Sequence, residues 1–199
     1  MSPDEILVKI KDLPIKDILN FLAANKILNL GVKGYEKIRD LTQAKASEKK
    51  FGFVPNKDEG NILLRISERG YYAEFSKLLP QHQYSDFIRV GYLISQLNRI
   101  GGEPNRIRVN QIREGVSQRP NGGFLIRIVN LVTTGGIVPV VDYLSELKRK
   151  KYDQNYLAQE FDEIIHEWSK YAYFTTSAMG EEIIFNTIRT KMENSQKLS

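Results

Sequence analysis

Arg106, Arg108, Asn110, Gln111, Arg113, Gln118, Arg119 and Asn121 crowd into sixteen positions of this chain. Arginine offers a flat fork of donors that pairs bidentately with a phosphate or with the O6/N7 edge of guanine. Asparagine and glutamine match the N6/N7 edge of adenine. Residue types of this kind, interleaved on one short segment, suit the reading of base edges in a major groove. The surrounding stretch from 99 to 127 holds six arginines and no lysine. From Arg89 to Arg127 there are seven arginines against two acids, Glu103 and Glu114, a surplus of +5 that equals the net charge of the whole chain. A solvated face with paired arginines is the alternative for such a run. The local shortage of acids argues against it.

A second basic set lies earlier, at Lys33, Lys37, Gln43, Lys45, Lys49 and Lys50. Lysines there suit phosphate contact, which positions a protein on DNA without reading sequence. Glu160, Asp162, Glu163 and Glu167 make a late segment acidic, and that segment is expected to face away from a polyanion.

Catalytic patterns are weak. "DYLSELK" offers Asp142, Glu146 and Lys148. A metal-dependent nuclease needs separated acids converging on a divalent ion with a lysine beside the attacking water. On one helix Asp142 and Glu146 share a side, whereas Lys148 points elsewhere. His82 and His166 have no ligand spacing around them, and the chain has no cysteine. Disulfides and zinc–thiolate sites are therefore excluded. No catalytic residue, metal ligand or cofactor is assigned.

The elements that would position these residues follow from apolar spacing. In "LPIKDILNFLAANKI", Ile15, Ile18, Leu19 and Leu22 predict a helix, with Pro14 in its first turn. "KGYEKIRDLTQAKASEKK" predicts a second, with Tyr35, Ile38 and Leu41 inward. "FGFV-PNKDEGN-ILLRI" places turn residues between two apolar runs and predicts a hairpin. "SERGYYAEFSKLL" predicts a helix capped by Ser67 and ended by Pro80. Helix, helix, hairpin, helix is the order of a winged-helix unit.

A further unit follows. "SDFIRVGYLISQLNRIGG" predicts a helix with Phe87, Val90, Ile94 and Leu97 inward, stopped by Gly101 and Gly102. "RIRVNQIREG" predicts a short helix with Ile107, Val109, Ile112 and Val116 buried and with Gln111 and Arg113 outward, as the leading base readers. "GGFLIRIVNLVTTGG" is apolar throughout and reads as helix or strand, its length favouring a helix. "PVVDYLSELKRKKY" starts with Pro139 at the first helical position and ends in cations, which suit a helix C-terminus. "YLAQEFDEIIHEWSKYA" puts Leu157, Phe161, Ile164, Ile165 and Trp168 on one face, and "YFTTS-AMGE-EIIFN" reads as a second hairpin. The predicted fold class is mainly α with short β-hairpins (α+β), as two tandem winged-helix-like subdomains over 1–80 and 81–190 and a polar tail over 191–199. No run approaches the ~18 apolar residues of a membrane span, and residues 1–20 carry charges throughout, so a cytoplasmic location is expected.

"GVKGYEKIRDLTQA", "FGFVPNKDEGNILLRISERGYYAEFSKLL" and "YLISQLNRIGG" together resemble the N-terminal DNA-recognition part of type IIS restriction endonucleases and nicking enzymes of the AlwI/BstNBI group. In that group a hairpin-to-helix signature precedes an apolar helix ending in Gly-Gly. The late stretch "FDEIIHEWSKYAYFTTSAMGEEIIFN" corresponds to the group's later helix and hairpin, and departs from it at Glu167, Trp168 and Ala172. The resemblance is one of pattern and order over most of 31–188. It implies a sequence-specific double-stranded DNA-binding module of a restriction system. Cleavage, and the Mg²⁺ it needs, would come from a separate nuclease domain or subunit. A winged-helix transcriptional regulator and a non-catalytic protein-interaction scaffold are the alternatives.

Overall fold

Asn56, Lys57, Asp58 and Glu59, expected at the tip of a hairpin, instead start a helix. In the computed structural model the Asn56 side chain accepts from the Glu59 backbone N–H at 2.9 Å, and the Glu59 carboxylate accepts from the Asn56 N–H at 2.9 Å. This reciprocal capping box satisfies two donors that the first turn would leave bare. The structure describes residues 43–79, 82–171, 186–191 and 193–194, and among them there is no strand. The α+β class and the winged-helix order are thereby corrected: the described chain is all-helical. The predicted first helix, and the hairpin over 173–186 apart from its last residue, lie outside the described residues.

The chain divides into two compact units, 1–55 and 56–199, so the boundary expected near residue 80 falls inside the second unit. In the first unit, residues 43–51 are helical and Gly52 follows with φ +79°. The Phe51 and Phe53 rings are 5.9 Å apart, and the Lys50 ammonium lies 5.6 Å from the Phe51 ring centre.

Among its described residues the second unit contains seven longer helices: α1 (Lys57–Ser67), α2 (Gly70–Leu78), α3 (His82–Ile100), α4 (Glu103–Ser117), α5 (Gly122–Thr133), α6 (Ile137–Arg149) and α7 (Gln154–Tyr171). Ser67 ends α1 rather than capping α2, which starts after Arg69. Pro139 sits in the third position of α6, not the first. Pro tolerates either place, because the first-turn N–H groups have no intrahelical partner.

Helix α3 packs against α1, α2, α4 and α5, most extensively against α5. Its predicted inner residues Phe87, Val90, Ile94 and Leu97 are buried. Gly91 permits the close approach to α5: a Cβ there would come within 2.5 Å of the Val132 Cβ. Helix α7 packs on α5 and α6, and buries Leu157, Phe161, Ile164, Ile165 and Trp168 as their spacing predicts. Phe161 joins α2 to this layer, with its ring edge-on to Phe75 at 5.3 Å. Each such fully buried side chain contributes about 1.5–3 kcal/mol.

Gly101 and Gly102, at φ +73° and +86°, end α3 and turn the chain into α4. Gly135, at φ +78°, does the same between α5 and α6, whose axes differ by 101°. Among the described residues no single helix is long and apolar enough to cross a membrane.

Candidate nucleic-acid interface

Helix α4 carries most of the predicted reading residues. Val109, Ile112 and Val116 are buried, as expected of one face. Ile107 is not: it is 49% exposed, because it falls on the opposite side of the helix from Val109.

Two arginines flank the apolar face and are held by the fold. Arg108 Nε donates to Oε1 of Glu59, and its Nη2 donates to Oε2 at 2.8 Å. Glu59 is 1% exposed and Arg108 half-buried, so the α1 cap and α4 are joined by a bidentate ion pair whose carboxylate is buried. Arg113, predicted to point outward as a reader, instead turns inward. Its Nη1 donates to the Asn130 Oδ1 of α5 at 2.5 Å, and burial pulls its pKa below the ordinary guanidinium value. In the α4–α5 turn, Arg119 is half-buried, and its Nε has no hydrogen-bond partner among the described residues.

The other predicted readers stay in solvent. Arg106 is exposed and pairs with Glu103 one turn earlier at 2.5 Å. Asn110 is exposed; Gln111 is exposed and accepts from Arg108 Nη1 at 3.2 Å. Gln118 and Asn121 are exposed beyond the helix, Asn121 at φ +63°. Arg106, Asn110, Glu114, Gln118 and Gln111 thus share one continuous exposed face, with Ile107 at its centre.

The lysine set belongs to the first unit. Gln43, Lys49 and Lys50 are exposed and Lys45 is half-buried on the 43–51 helix. Lys33 and Lys37 lie outside the described residues. "DYLSELK" does not converge: Asp142 is exposed, Glu146 accepts from Arg149 at 3.0 and 2.8 Å, and Lys148 Nζ donates to the Lys77 carbonyl at 3.0 Å. Among the described residues no three His, Asp or Glu side chains group as a metal site.

One concave feature went unpredicted. A groove of about 780 Å³ opens between α1, α2, α3 and the α5–α6 turn. Its walls carry Arg65, Arg69 and Arg99 together with Tyr71, Tyr72 and Tyr92, over Ile62, Ile66, Ile137 and Val138. The three arginines are exposed and make no ion pair among the described residues. Arg89 supports the groove from behind, its guanidinium 5.2 Å from the Tyr72 ring centre and its Nη2 3.4 Å from the Leu63 carbonyl. The sequence signal is "RISERGYY", whose cations and phenols the apolar pattern divides between a hairpin and the helix that follows it.

No family model, curated protein or solved structure matches this chain.

Proposed function

We propose that the protein is a cytoplasmic, sequence-specific double-stranded DNA-binding module that reads a major groove with α4. The carrying observation is the division of labour around that helix. Its inner side is fastened by Val109, Ile112 and Val116, by the Arg108–Glu59 pair and by the Arg113–Asn130 hydrogen bond. Its outer side presents Arg106, Asn110 and Gln111, followed by Gln118. A helix fits the ~12 Å width of a major groove, and these are the side chains that pair with guanine and adenine edges. Glu114 on the same face can accept from a cytosine amino group. The exposed Lys49 and Lys50 suit phosphate contact. The type IIS restriction enzymes that the sequence resembles are a guide to residue order alone, since the hairpin of their signature is a helix start here; on this reading cleavage is assigned to a separate nuclease partner.

The test is selection from a random duplex pool. One enriched sequence is expected, bound by the wild-type chain with an affinity that falls steeply as salt rises. A pool that stays random, or binding indifferent to salt, would remove the reading and favour a protein-interaction scaffold.

A further inference from the structure

Three tyrosines and three arginines from separate helices share the walls of the groove, and their chemistry is specific. A phenol ring offers a flat surface on which an aromatic ring can stack, at low entropic cost. A guanidinium offers a fork that fits a phosphate. Arg65 and Arg69 come from the end of α1 and the turn after it, and Arg99 from the last turn of α3. Among the described residues Glu74 is the one acid on the walls, so three cations against one acid give a balance of +2. These arginines are not consumed by the fold, in contrast to Arg108 and Arg113. Tyr71 is 48% exposed and Ile100 64% exposed beside them, so stacking area and charge face solvent together. The volume falls within the ~300–1,000 Å³ of pockets that hold one small molecule.

We propose that this groove is a binding site for a free nucleotide, its base stacked on the tyrosines and its phosphate held by Arg65, Arg69 and Arg99. Glu74 is the acceptor available to ribose hydroxyls, and Gln96 can meet a base edge with a donor and an acceptor. The site is distinct from the α4 face and does not depend on duplex recognition. It gives the molecule a small-ligand input as well as a DNA-facing helix.

Calorimetric titration of the full chain with AMP, GMP, CMP and UMP tests this. At least one is expected to bind with a Kd under about 1 mM. The matching nucleoside and inorganic phosphate are each expected to bind at least about tenfold more weakly, since each lacks half of the contacts. Arg69→Ala and Arg99→Ala should each weaken the nucleotide about tenfold. Both residues are exposed, so the thermal midpoint of each variant should match wild type. Three results would overturn the site: no nucleotide binds; binding survives the Arg65→Ala/Arg69→Ala/Arg99→Ala triple variant; or a ten-residue oligothymidylate binds about a hundredfold tighter than UMP, with affinity rising with length. The last would assign the groove to a single strand instead.

Discussion

Glu59 and Arg108 stand 49 positions apart in the chain and meet through two hydrogen bonds, one from Nε and one from Nη2. The same carboxylate also closes the N-terminal cap of α1. Breaking one side of such a pair strands a buried charge, which costs about 3 kcal/mol or more. Glu59→Ala and Arg108→Ala should each cost roughly that much in urea unfolding, and the double variant should cost less than their sum by about 1–3 kcal/mol. Glu59→Gln retains a cap acceptor and should cost less than Glu59→Ala. Additive single effects would mean that the two side chains act independently.

Asn110 and Arg113 should separate reading from support. Asn110→Ala is expected to cost about 1–3 kcal/mol on the preferred duplex and to relax the choice at one base pair. Arg113→Ala should instead lower the unfolding free energy, because Asn130 loses its donor. It should weaken all duplexes alike. Binding to the preferred site and its single-base variants decides between these roles. Discrimination lost at one base pair with Arg113→Ala would show that Arg113 leaves Asn130 to read DNA.

Two helical glycines should respond oppositely to alanine. Gly60 lies inside α1 with open space where a Cβ would stand. Gly60→Ala should stabilise by about 0.5–1 kcal/mol, since glycine loses more backbone freedom on folding. Gly91→Ala meets Val132 and the Val129 carbonyl at 2.5 and 2.9 Å, and should cost about 1–3 kcal/mol as α3 and α5 are forced apart. Thermal midpoints read both, and a stabilised Gly91→Ala would refute the close approach.

Asp162 provides the pH test. Its side chain is exposed, yet partial desolvation raises its carboxyl pKa above the ordinary value, while the hydrogen bond from Tyr84 at 3.3 Å acts in the opposite direction. A raised carboxyl pKa means that the folded protein holds this proton more tightly than the unfolded chain does. The resulting loss of stability is small for so exposed a group, is absent below the ordinary carboxyl pKa of about 4, grows as pH rises through the folded pKa, and is complete above it. Asp162→Asn keeps an acceptor for Tyr84 and removes the charge. Its melting point should exceed wild type at pH 7, with the gain vanishing near pH 3. An equal gain at both pH values would exclude ionisation as the cause.

Helices α3, α4 and α7 are legible because their apolar positions recur with helical period, and α5 because of its length between glycine pairs. The hairpin was misread over Pro55, Asn56, Asp58 and Gly60, which are turn-forming types. The same window spells Asn-x-x-Glu, a helix start, and the apolar residues that follow bury Leu63 and Ile66 on one face at i and i+3. The candidate interface was legible to a lesser depth. Periodicity shows which side of α4 is apolar. It cannot show that Arg108 and Arg113, on the flanks of that side, meet partners on α1 and α5. The groove was hidden because its arginines and tyrosines come from α1, the α1–α2 turn, α2 and α3, and converge only after packing.

Lys191 bears on how long the chain must be to survive in a cell. Its ammonium reaches Glu160 and Glu163 on α7, both at 3.3 Å, beside the 2.6 Å hydrogen bond from Tyr143 to Glu160. Ile188, one turn earlier, is 2% exposed. A gene ending shortly after the Tyr171 codon would leave Glu160 without its cation and uncover the apolar surface that Ile188 covers. A loss of about 1–2 kcal/mol is enough to lower the abundance of a protein several-fold through proteolysis. A shortened version would therefore fail as a matter of supply, with α4 and the groove intact.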